Sequence, residues 1–110
     1  MAKPSLVGIA VRDAPRKPMK IRSRAMVTIK EGVVGDFRGQ GGRNRSRQVT
    51  ILSFPQWRGV CSEFGRPLPW FLRRANLLVS RIDFGKYKPE ALRSGVLRIG
   101  DEVILEITGI

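Results

Sequence analysis

Apolar residues along this chain come mostly in short bursts that alternate with small or polar positions, and only one stretch repeats at helical spacing. The bursts "LVGIAVR" (Leu6 to Arg12), "RAMVTI" (Arg24 to Ile29) and "RQVTILSF" (Arg47 to Phe54) are short and rich in β-branched residues, as strands are. The first runs into "DAPRKP", a proline-bearing turn. Three more strands are predicted at "ANLLVSRI" (Ala75 to Ile82), "VLRI" (Val96 to Ile99) and "EVILEI" (Glu102 to Ile107), with Gly95 and the Gly100-Asp101 pair supplying turns. Between the third and fourth bursts, Phe54, Trp57, Val60, Cys61 and Phe64 recur on one helical face. Ser53 is placed to cap that helix, Pro55 sits in its first turn and Gly65 ends it.

Several short strands, one helix and no regular βαβ alternation predict a mainly β domain, either a barrel or a pair of packed antiparallel sheets. At 110 residues the chain has room for one such domain and not comfortably for two. No apolar run reaches the roughly 18 residues of a membrane span, and the N-terminus lacks the continuous apolar stretch of a secretory signal. The expectation is therefore a cytoplasmic protein with no membrane partner. A single cysteine forms no intrachain disulfide, and the absence of histidine removes the usual zinc ligands.

Charge adds a partner class. The formal net charge is +12, and 15 of the 21 basic residues are arginine, whose planar fork suits bidentate capture of phosphate or carboxylate. Four arginines and five glycines fall in "EGVVGDFRGQGGRNRSRQVT" (Glu31 to Thr50), a long connection between two predicted strands. Loops of this length in a compact domain are uncommon unless they bind something or are disordered. The stretch lacks the Gly-Lys-Ser/Thr ending of a nucleotide-binding phosphate loop and leads into a strand, not a helix. Phe37 is its only aromatic residue, so stacking of single-stranded RNA bases has little support, although a small basic nucleic-acid binder remains an alternative reading.

Four blocks in order resemble the MOSC domain, the molybdenum cofactor sulfurase C-terminal family. "EGVVGDFRG" (Glu31 to Gly39) is similar to the family's Gly-x-x-Gly-Asp segment and "RQVTIL" (Arg47 to Leu52) to its Arg-Gln-Val strand. "PWFLRRANLLVSRIDF" (Pro69 to Phe84) resembles its Arg-x-Asn-Leu segment, and "LRIGDEVILEITG" (Leu97 to Gly109) its closing strands. The resemblance implies a MOSC-like β-barrel with one short helix, which binds the molybdenum cofactor or transfers sulfur through a cysteine persulfide. By motif position Asp36, Arg47 and Asn76 would line the cofactor site, with Arg73 and Arg74 adjacent. The implied partners are an anionic pterin or a small-molecule sulfur acceptor, with a cysteine desulfurase as sulfur donor. Pyridoxal phosphate belongs to a separate desulfurase domain in the fused relatives and is not expected here.

Four of these residues also have a plainer reading: Asp36 as a turn former, Asn76 as a turn cap or a hydrogen-bonding partner of barrel backbone, and Arg73 and Arg74 as surface charge. The family's reactive cysteine follows the last strand within a few residues of a stretch like "EITG", and this sequence ends at Ile110 before reaching one. The expectation is therefore a C-terminally truncated domain, or a member that binds without transferring sulfur as a non-catalytic anion-binding module. Cys61, on the apolar helix face, is expected to act as a small buried hydrophobe.

Overall fold

The computed structural model describes residues 4–37, 48–84 and 95–107. Within them the chain forms β1 (Leu6–Val11), β2 (Lys20–Arg22), β3 (Val27–Thr28), β4 (Gly32–Val33) and β5 (Ile51–Ser53). Helix α1 (Phe54–Phe64), a 3-10 turn (Trp70–Arg73), β6 (Leu77–Val79), β7 (Val96–Ile99) and β8 (Val103–Glu106) follow. Mainly strands with one α-helix, as the pattern predicts, is what the described residues contain. No helix among them is long and apolar enough to cross a membrane.

The strands do not close on themselves among the described residues. They form one four-stranded sheet in the order β2-β1-β6-β5, and two separate hairpins, β3-β4 and β7-β8. β1 pairs antiparallel with both β2 and β6, but β5 pairs parallel with β6, in the register Ile51↔Leu77, Leu52↔Leu78 and Ser53↔Val79. That parallel pair corrects the expectation of purely antiparallel sheets. Parallel neighbours need a crossover, and α1 with the 3-10 turn supplies it, so β5-α1-β6 is a single βαβ unit.

β6 is the centre of the core. All three of its residues are buried, which fits a strand with both faces covered and explains its unbroken Leu-Leu-Val run. Ala10, Val11, Val33, Trp57 and Ala75 complete the buried apolar set around it. Trp70 lies across β1 at Gly8, where an added Cβ would stand 2.7 Å from its Cζ2. Glycine at that position is therefore a steric requirement of the tryptophan, and the strand accepts the loss of a side chain to seat an indole.

Helix α1 starts and stops where local chemistry places it. The Ser53 hydroxyl accepts from the Gln56 amide at 3.3 Å, and Gly65 ends the helix at φ 90, its N–H reaching the Cys61 carbonyl at 2.9 Å. The apolar face of α1 is another matter. Trp57 is buried and donates its indole N–H to the Leu68 carbonyl at 3.0 Å, whereas Val60 and Phe64 are 49% and 61% exposed. Cys61 is half-buried rather than buried, its sulfur 4.0 Å from the same Leu68 oxygen. Trp57 is the one residue of the helix that is buried.

Candidate functional site

Residues of three of the four family-like blocks are joined at the C-terminal end of β1, Asp36 and Asn76 directly and Thr50 through Asn76. Val33 to Asp36 form a tight turn in which Gly35 adopts φ 97, a conformation that glycine enters without Cβ strain. The Asp36 amide donates to the Val33 carbonyl at 3.0 Å. This turn delivers Asp36 to β1, where its carboxylate accepts from the Arg12 amide at 3.0 Å while the Phe37 amide donates to the Arg12 carbonyl at 2.8 Å. Asp36 is 3% exposed and Arg12 5% exposed, and the Arg12 guanidinium stands 5.0 Å from the centre of the Phe37 ring.

Asn76 does the corresponding work from the other side. It precedes β6 directly and bridges the two strands that flank it. Its main chain donates to the Thr50 carbonyl at 2.9 Å and accepts from the Ala10 amide at 2.7 Å. Its side-chain oxygen accepts from both the Thr50 amide, at 3.1 Å, and the Thr50 hydroxyl, at 3.2 Å, and its side-chain nitrogen donates to the Ala10 carbonyl at 3.2 Å. An asparagine suits this position because one end of its amide accepts and the other donates.

Asp36 and Asn76 thus meet the same short run of β1, at Arg12 and Ala10, from positions 40 residues apart in number, and both are buried. Their hydrogen bonds go to the backbone and fix three segments against one another. Arg73 and Arg74 sit at the end of the 3-10 turn, exposed, with Arg74 at φ 59 in the left-handed region. That kink reverses the chain between the exposed arginine pair and buried Asn76. Arg47 lies outside the described residues, although Thr50, three positions on, is part of the Asn76 bridge.

Arg12 belongs to this cluster and is absent from the four motif blocks. Its sequence signal is slight, a charged residue closing an apolar strand, since its role depends on a turn more than 20 residues further along the chain. No buried side-chain nitrogen or oxygen among the described residues lacks a hydrogen-bond partner, so the cluster is a finished framework. Nor do three or more His, Cys, Asp or Glu side chains come together among those residues as a set of metal ligands. The groups here that can take up an anion without breaking an existing bond of the fold are the solvent-facing arginines at 73 and 74.

These features define a small mixed-sheet protein with a basic turn mounted on a buried asparagine bridge. Comparison with protein-family models, curated proteins and solved structures returns no match to the chain.

Proposed function

We propose that the chain is a MOSC-like domain of the cytoplasm that holds an anionic pterin phosphate, the anchoring end of the molybdenum cofactor. The observation that carries this reading is the Asn76 bridge. Asp36 and Asn76, from two of the family-like blocks, are bound to one end of β1, Thr50 from a third is bound to Asn76, and the arginine pair precedes Asn76 in the chain by two and three positions. The four-stranded sheet and the two hairpins are the parts from which a barrel of this family would be assembled.

The donor set fits the phosphate end of such a cofactor better than its metal. Two guanidinium groups can grip a phosphate, and their exposure leaves them free to approach it. Asp36 and Asn76 would act by holding the turn in place. Sulfur transfer by way of a cysteine persulfide, with a cysteine desulfurase as donor, is the family's other activity. Within this sequence it would have to run through Cys61, and a half-buried thiol on a helix, facing a carbonyl oxygen, is poorly presented for it. Binding is the role we assign to the described residues.

Hydrogen exchange on the intact protein with a phosphorylated pterin tests this. The amides of Arg74 to Leu77 should gain protection, and the joint substitution Arg73→Ala and Arg74→Ala should abolish the gain while the unliganded exchange pattern stays as it was. Incubation with a desulfurase and cysteine should add no sulfur to Cys61 by mass. If the pterin changes no amide while single-stranded nucleic acid binds with a steep salt dependence, the chain is a basic nucleic-acid binder and the reading is wrong.

A further inference from the structure

At the opposite end of β6 from Asn76, a cleft of about 680 Å³ opens between the exposed face of α1 and the strand ends. Its volume is within the range of small-molecule sites. Two arginines line it, Arg58 from the helix and Arg81 from the residues just after β6. Ser5 and Ser80 line it as well, their hydroxyls 2.9 Å apart, and among the described residues no acidic side chain does. Phe54 provides an apolar wall that is 39% exposed, and the Arg58 guanidinium stands 5.8 Å from the centre of its ring. The floor includes Gly59, where an added Cβ would meet nothing within 4 Å.

Arg81 follows Ser80, whose amide donates to the Ser5 carbonyl at 2.8 Å, and holds φ 58. What separates this cleft from the general positive surface is the pairing of an exposed aromatic wall with cations on one cavity, a combination that suits a flat ring carrying a negative group. The first turn of α1 contributes little, since Ser53 already caps it and Pro55 has no N–H.

We propose that this cleft is a second binding site, for a phosphate monoester attached to a flat ring. Arg58 and Arg81 take the phosphate, whichever of the Ser5 and Ser80 hydroxyls is not donating to the other donates to one of its oxygens, and the ring lies against Phe54 above Gly59. The site shares no residue with the arginine turn at 73 and 74, so it stands or falls apart from the cofactor reading.

Calorimetric titration of the intact protein at low salt with adenosine monophosphate, inorganic phosphate and adenosine provides the test. The monophosphate should bind more tightly than either part. Joint replacement Arg58→Ala and Arg81→Ala should weaken it about tenfold or more, as expected for loss of charge-assisted pairs. Replacing Arg73 and Arg74 by alanine should leave it unchanged. Gly59→Leu, at an exposed helix position where glycine is a poor helix former, keeps the charge and the fold and should remove the preference for the monophosphate over phosphate. Equal affinity for phosphate and monophosphate overturns the proposal, as does an equal loss from the remote control Arg22→Ala, which would mean diffuse attraction to a basic surface.

Discussion

Replacing Asn76 by aspartate changes one atom of the bridge and reverses its chemistry at one end. The retained oxygen goes on accepting from the Thr50 amide and hydroxyl, but the side-chain nitrogen that donates to Ala10 becomes an oxygen facing a carbonyl oxygen at about the same separation, 3.2 Å. At neutral pH the buried Ala10 acceptor loses its partner, a loss of about 1–3 kcal/mol, and the carboxylate carries a desolvation cost besides. Asn76 is 2% exposed, so water relieves neither. Protonation restores a donor. The folded state therefore raises the pKa of the introduced carboxyl above its unfolded value of about 3.9, and the folded variant binds a proton that the unfolded chain gives up.

The sign follows directly: stability relative to the parent protein is highest below the unfolded pKa and falls as pH rises through the folded one. Each unit of elevation appears as about 1.4 kcal/mol between the two limits. With a net loss of about 3 kcal/mol at pH 7.5, the melting temperature should drop by roughly 10 °C. Urea unfolding of the parent, Asn76→Asp and Asn76→Ala across pH 4 to 7.5 reads this out, with the alanine variant destabilised by a nearly constant amount. A flat difference between the aspartate variant and the parent, or a loss at pH 7.5 of under about 1 kcal/mol, would refute the bridge as described.

Two further substitutions test the packing. Gly8→Ala should destabilise by about 1–3 kcal/mol because its methyl collides with the Trp70 ring, and in a Trp70→Leu background the same change should cost far less. Denaturant midpoints of the four proteins in that cycle give the coupling, and independent effects would mean that the indole does not lie on the strand. Ser53→Ala removes the cap of α1 and the hydroxyl bonded to the Ile82 carbonyl, for an expected loss of about 2 kcal/mol by urea titration. A loss within experimental error would mean that the helix start is held by the chain entering it and not by the hydroxyl.

Features governed by near neighbours were legible in the sequence. Ser53, Pro55 and Gly65 bracket α1 because capping is a matter of a few residues, and Gly100 at φ 63 makes the turn that joins β7 to β8. β2 escaped notice because all three residues of Lys20–Arg22 are exposed; it exists through its pairing with β1 and shows no apolar alternation. The parallel register of β5 and β6 is a choice between partners, which no local pattern encodes. The periodic face of α1 misled for a similar reason: periodicity reports which residues align and not whether a surface arrives to cover Val60 and Phe64. At the site, Asp36 and Asn76 were singled out by resemblance to a family motif, whereas their hydrogen-bonding to Arg12 and Ala10 depends on long-range contacts.

The central position of β6 also sets a schedule. β1 precedes its central partner in the chain, since that partner includes Val79, and Ser5 meets Ser80 across 75 residues. At about 5–20 residues per second, β1 waits roughly 4 to 15 s before β6 has been made. During that interval the edge of β1 that β6 will occupy is an unfilled template, beside apolar residues such as Leu6 and Ile9. β2 can fold back on the other edge early, and its Lys20 and Arg22 put charge on the nascent ribbon. The short basic strand that buries no residue of its own thus covers one edge of β1 while the other still waits for β6.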